Sequence, residues 1–169
     1  MTLLASTGRL QTLSASFLAL GMAATVGTAL AFEHIGGYIP CKLCLEQRIP
    51  YYIGAPLMLV ALASARLRGP ALFTRGLLLA GALLMLWSAG LGAYHAGVEW
   101  KWWEGPADCG AVAANISTSA ENLLEQLNAF VPPACDEAAG RFLGLSFAGW
   151  NVIASSILAV IAVRGAFGR

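Results

Sequence analysis

The sequence predicts an all-α membrane protein, a four-transmembrane-helix bundle with one long loop on its outer side. Three observations carry this expectation. Hydrophobic residues make up 58% of the 169-residue chain and charged residues only 11%, with a mean hydropathy of +0.70. A soluble domain carries about a quarter charged residues, so this chain cannot coat a water-soluble globule. Four stretches are each long and apolar enough to cross a hydrocarbon core of about 30 Å. Chain breakers fall between them, at Gly36-Gly37, Arg68-Gly69-Pro70 and Pro132-Pro133. The composition excludes a disordered chain, a collagenous chain and an ordinary soluble enzyme. Ten basic residues against nine acidic ones give a net charge of +1, which excludes a nucleic-acid binder held by phosphate contacts.

The elements follow in order, and residues 1–169 are expected to form a single domain. The first span runs over about 12–32. The second covers about 49–65 and can extend back through 41–48; Pro50 would then stand inside the helix rather than at its first position. The third lies within 71–95, joined to the second by a few residues, which makes the two antiparallel neighbours. A loop over 96–141 leads to the fourth span, 142–163. In that loop Trp100, Trp102 and Trp103 form an interfacial belt. Ile116, Ala120, Leu123, Leu124, Leu127 and Phe130 recur at helical spacing, which predicts a short helix lying on the membrane.

Orientation follows from the basic residues near the span ends. Arg9, Arg66, Arg68, Arg75, Arg164 and Arg169 share one side with both termini. Lys42, Arg48, Lys101 and Arg141 lie on the other, together with all nine acidic residues. The termini are therefore expected to be cytoplasmic and the long loop external. Arg9 followed by an apolar run ending in Ala29-Leu30-Ala31 also resembles a signal peptide, but the run exceeds the usual length of such a region, which favours an uncleaved span.

Four cysteines then fall on the outer side, where disulfides persist. Cys41-Lys42-Leu43-Cys44 is a CxxC at the membrane surface, whereas Cys109 and Cys135 stand far apart in the polar loop. A structural zinc site is disfavoured because the second pair lacks the close spacing of such ligands. Haem attachment needs a His after the CxxC, and Leu45 stands there. A thioredoxin domain needs βαβ units that apolar helices cannot supply. Two inert structural disulfides are the remaining bland alternative to redox exchange. The neighbours of Cys44 favour exchange. On a helix Gln47 and Arg48 share its face. A guanidinium beside a thiol favours the thiolate, the species that attacks disulfides, and a helix start adds positive charge. An arginine at the bilayer edge is a functional candidate, although it could also snorkel to lipid phosphates. His95, at the outer end of the third span, can pair with Glu99 four residues on.

Pro40-Cys41-Lys42-Leu43-Cys44-Leu45-Glu46-Gln47-Arg48 resembles the P-C-x-L-C-x-x-Q-R motif of the DsbB family of disulfide bond formation proteins. Tyr94-His95-Ala96-Gly97-Val98-Glu99 is similar to that family's Y-H-x-G-x-E segment, and Phe142-Leu143-Gly144-Leu145-Ser146 to the start of its last span. The likeness covers nearly the whole chain. It implies a multi-pass protein of the bacterial inner membrane whose cysteines face the periplasm. It implies redox-active disulfides Cys41–Cys44 and Cys109–Cys135, with ubiquinone or menaquinone as electron acceptor and no metal. Reduced DsbA would attack the Cys109–Cys135 disulfide at Cys109, and Cys135 would then exchange with Cys41, freeing Cys44 beside the quinone. Arg48 would stabilise charge there, with Gln47 and His95 near the ring. DsbA is itself a strong oxidant, at about −120 mV, so only a terminal oxidant such as a quinone can drive the relay. A vitamin K epoxide reductase-like protein is the main enzymatic alternative, but its CxxC belongs to a late span. A membrane scaffold with two structural disulfides is the non-enzymatic one.

Overall fold

The computed structural model describes residues 8–106, 109 and 134–168. Its elements are α1 (Arg9–His34), α2 (Lys42–Arg66), α3 (Ala71–Glu99), β1 (Arg141–Phe142), β2 (Leu145–Ser146) and α4 (Phe147–Phe167). All four helices are long and apolar enough to cross a membrane. This is what lipid demands, because a helix satisfies its backbone groups internally where no water can. The stretch expected to form an interfacial helix, 116–130, lies outside the described residues.

Each helix packs on its neighbours in sequence, and α4 closes the bundle against α1. The seam is built from small residues and a few long ones. Ala15, Ala19, Ala61, Ala82, Ala159 and Ala162 let the backbones approach, while Leu18, Met22, Met58, Leu78 and Met85 fill the axis. Lipid offers no hydrophobic drive for helix association, so this close packing is what holds the bundle. Gly54 shows how tight it is: a Cβ there would lie 2.7 Å from Met22 Sδ. Outward-facing Phe17, Leu20, Leu59, Leu83 and Ile157 are more than half exposed in the protein alone, as lipid-facing side chains should be.

Two boundaries position the cysteine region. Helix α2 starts at Lys42, well before Ile49, with Cys41 as its N-cap. The Cys41 sulfur accepts a hydrogen bond from the Cys44 backbone N–H at 3.4 Å. Pro50 and Pro56 both lie inside the helix, so Cys44, Gln47 and Arg48 occupy one continuous helical turn. The fourth span begins at Phe147, five residues later than the apolar pattern suggests. Residues 141–146 instead form a small antiparallel hairpin pairing Arg141 with Ser146 and Phe142 with Leu145. Its two central residues, Leu143 and Gly144, have φ of 52° and 83°, the left-handed pair a two-residue hairpin turn requires. Ser146 then caps α4, its side chain accepting from Gly149 N, which gives that helix a defined start.

Candidate functional site

The outer end of the bundle gathers all four cysteines. Cys41, Leu43, Val98, Cys109 and Cys135 form one buried cluster, with Cys44 packed against it. Cys109 and Cys135 are joined as a disulfide, with their Cα atoms 5.8 Å apart. It faces a groove of about 640 Å³ lined in part by Trp102, Trp103, Glu104 and Pro106. Lys101 bridges that groove to Asp136 through an exposed ion pair, and its ammonium holds the Asp136 carboxyl below the usual carboxylate range. Trp103 stacks on Tyr94 and donates its indole N–H to the Tyr94 carbonyl. A Cβ at Gly97 would overlap the Trp103 ring, so glycine there lets the tryptophan lie against α3.

Cys41 and Cys44 are free thiols with their sulfurs 2.9 Å apart. Cys41 is buried, and its sulfur lies 3.7 Å from His95 Nε2. The thiol of Cys44, then the imidazole of His95, stabilise a negative charge on Cys41, whose pKa is pulled down to about 4 despite burial. The sequence places the anionic sulfur at Cys44. The structure instead makes Cys41 the sulfur that carries the charge, with the Cys44 thiol as its hydrogen-bond partner, because His95 arrives from α3, 54 residues away in the chain.

On the other face of the turn, Cys44, Gln47 and Arg48 line an apolar cavity of about 460 Å³ between α1, α2 and α4. Phe32, Tyr38, Ile39, Phe142 and Trp150 also line it, and each of these is partly exposed, so the cavity reaches the lipid-facing surface. Its volume and apolar walls suit a small ring compound, with few polar groups to orient it. Arg48 forms an ion pair with Glu33 of α1, which also lines the cavity. His95 does not line this cavity. It is 3% exposed and sits behind Gln47, whose Nε2 lies 2.8 Å from His95 Nδ1. Its Nε2 is 3.8 Å from Glu99 Oε1, consistent with the pairing read from the sequence.

Asn151, Ser88 and Tyr51 complete the site, and none of the three belongs to a motif legible in the sequence. Asn151 Nδ2 donates to Gln47 Oε1 at 2.7 Å, and the Tyr51 hydroxyl donates to Asn151 Oδ1 at 2.6 Å. The signal was present as a lone amide in an otherwise apolar span, a position where a polar side chain calls for a partner.

Cys41, Cys44 and His95 bring their ligand-type atoms within 4.8 Å of one another. A metal-bound histidine normally donates its other ring N–H to an acceptor. Here the Gln47 amide nitrogen, a donor, faces that position, so the surroundings oppose metal ligation by His95.

Residues 11–164 match the protein family described as "Disulfide bond formation protein DsbB". Two curated relatives bear the name "Disulfide bond formation protein B". The protein from Albidiferax ferrireducens is 29% identical over 152 residues, covering 88% of this chain and 83% of its own. The protein from Marinobacter nauticus is 32% identical over 151 residues, covering 82% of each. No solved structure matches the chain. With its four membrane-spanning helices and two cysteine pairs meeting at one end, the chain belongs to the DsbB family of disulfide bond formation proteins.

Proposed function

We propose that this chain is a protein-dithiol:quinone oxidoreductase of the bacterial inner membrane that reoxidises a DsbA-like periplasmic thiol oxidase. The observation that carries the reading is the single buried cluster of both cysteine pairs, with Cys44 also lining an apolar cavity. A disulfide facing a polar groove can meet a protein, and a thiol in an apolar wall can meet a lipid-soluble oxidant. Inert structural disulfides need neither arrangement.

In this reading Cys109 takes the partner's thiolate into a mixed disulfide, which releases Cys135 as a thiolate. The partner's second thiol then resolves that bond and leaves as a disulfide. Cys135 attacks the Cys41–Cys44 disulfide at Cys41, and Cys44 departs as a thiolate into the cavity wall. Cys109 then attacks Cys135, which restores the Cys109–Cys135 disulfide and releases Cys41 as a thiolate. A quinone, when bound, supplies a two-electron, two-proton acceptor soluble in the bilayer. Arg48 holds negative charge beside Cys44. A stabilised Cys41 thiolate favours the dithiol form, and stabilising the reduced form makes the matching disulfide a stronger oxidant. That is the direction required of a protein that oxidises so strong an oxidant as DsbA.

The reading places both pairs on the periplasmic side, with cytoplasmic termini. In intact cells treated with a reductant, an impermeant maleimide added from outside should modify Cys109 and Cys135. If modification required rupture of the inner membrane, the orientation and the periplasmic function would both be wrong.

A further inference from the structure

Behind the CxxC, Gln47, Ser88, His95 and Asn151 join α2, α3 and α4 through hydrogen bonds whose direction is fixed by two backbone carbonyls. Gln47 Nε2 donates to the Leu43 carbonyl at 3.2 Å, and Asn151 Nδ2 to the Ser88 carbonyl at 3.2 Å. A carbonyl only accepts, so turning over either amide would set oxygen against oxygen. In a buried site that leaves groups unsatisfied. With both amides so placed, Asn151 Nδ2 gives its other hydrogen to Gln47 Oε1 at 2.7 Å, and Gln47 Nε2 gives its other hydrogen to His95 Nδ1 at 2.8 Å. The Tyr51 hydroxyl holds Asn151 Oδ1 at 2.6 Å. Nδ1 of His95 is thus an acceptor, and the proton of the neutral ring sits on Nε2. That nitrogen is 3.7 Å from Cys41 Sγ, within reach of an N–H···S bond. Its 3.8 Å separation from Glu99 Oε1 is too long for an N–H···O bond.

We propose that Asn151, acting through Gln47, is a positioning residue that locks His95 in its Nε2–H tautomer and so aims a standing hydrogen-bond donor at the Cys41 sulfur. The tautomer claim stands on the hydrogen bonds alone; its redox consequence rests on the function proposed above. The titratable groups that meet the Cys41 sulfur are Cys44 of α2 and His95 of α3, with Glu99 of α3 beside the His95 ring. Helix α4 contributes the neutral Asn151. Without the lock, His95 can present a bare Nε2 to the thiolate, and the donor is lost for part of the time.

The test uses the full chain in detergent with His34→Gln. His34 is exposed at the end of α1 and is one of two histidines, so the change leaves His95 as the single reporter. Nitrogen-15 chemical shifts of the imidazole ring should show a protonated Nε2 and a bare Nδ1. Asn151→Leu should give a mixture of tautomers. It should also raise the midpoint of Cys41 alkylation against pH by about one unit, the size expected for one hydrogen bond to a charged group. Well above that midpoint, a tenfold change in thiolate stability lowers the Cys41–Cys44 potential by about 30 mV. A protonated Nδ1 in the chain carrying only His34→Gln would overturn the lock, and needs no folded variant. An unchanged tautomer and potential in Asn151→Leu would overturn the role of Asn151. None of these readouts requires a quinone. Failure to reduce quinone with the tautomer intact would therefore count against the redox reading and not against the lock.

Discussion

Cys44→Ser should abolish the proposed quinone reduction with every thiol donor, whereas Cys109→Ser should abolish it only with a protein donor. Cys44 is the cysteine that lines the apolar cavity, and its removal leaves no sulfur from which electrons can reach an acceptor there. The expected loss is a factor on the order of a thousand or more, as when a covalent nucleophile is deleted. Cys109 belongs to the pair facing the groove. Without it a protein partner finds no disulfide to attack, so partner oxidation falls by a similar factor. A small dithiol can still reach Cys41 and Cys44 directly and should retain most of its rate. Steady-state rates with a reduced protein donor and with a small dithiol, measured on the same preparations, check this division. Equal loss of both activities in Cys109→Ser would refute it.

The second large effect concerns Arg48. From the sequence alone, its guanidinium is a lone cation beside Cys44. The structure pairs it with Glu33 across α1 and α2, so its removal has two consequences. The cation near the sulfur is lost, and a carboxylate is stranded in an apolar cavity, where an unpaired charge is costly. Arg48→Ala should slow quinone reduction by about 10- to 100-fold, which corresponds to roughly 1.4 to 2.8 kcal/mol. Raising the pH should recover part of the rate. Arg48→Lys should keep part of the charge effect but lose the planar fork. Adding Glu33→Gln to Arg48→Ala should restore part of the loss by removing the stranded carboxylate. A pH–rate profile at saturating quinone, with Cys44 alkylation rates alongside, separates these contributions. An unshifted alkylation profile in Arg48→Ala would leave the arginine as a quinone-binding or lipid-anchoring residue only. A double variant as slow as the single one would show that Glu33 is not felt.

The helices were legible because hydropathy over 20 residues is a strong signal and lipid leaves the backbone few alternatives. The turn from Cys44 to Arg48 was legible for a related reason, since three and four residues of helix return to one face. What escaped the sequence were contacts between distant residues. Glu33 was counted only as an outer-side charge, and nothing local ties it to Arg48. Asn151 meets Gln47 across 104 residues, and His95 meets Cys41 across 54, so no periodicity can announce either. The hairpin at 141–146 was hidden by its apolar residues, which read as helix until Leu143 and Gly144 take positive φ. His95 is expected near a quinone on the strength of the family motif alone; its contacts in the structure are Cys41 and Gln47, neither of them a sequence neighbour.

The most direct test of the account is stoichiometric coupling in the purified chain. Reduced DsbA-type protein and ubiquinone are mixed with the protein in detergent, and both the quinone absorbance and the free thiols of the donor are followed. The account predicts loss of one quinone for every donor disulfide formed, in an anaerobic sample and at a rate proportional to the amount of chain added. Donor thiols that stay reduced while quinone persists, or that oxidise without consuming quinone, would contradict it.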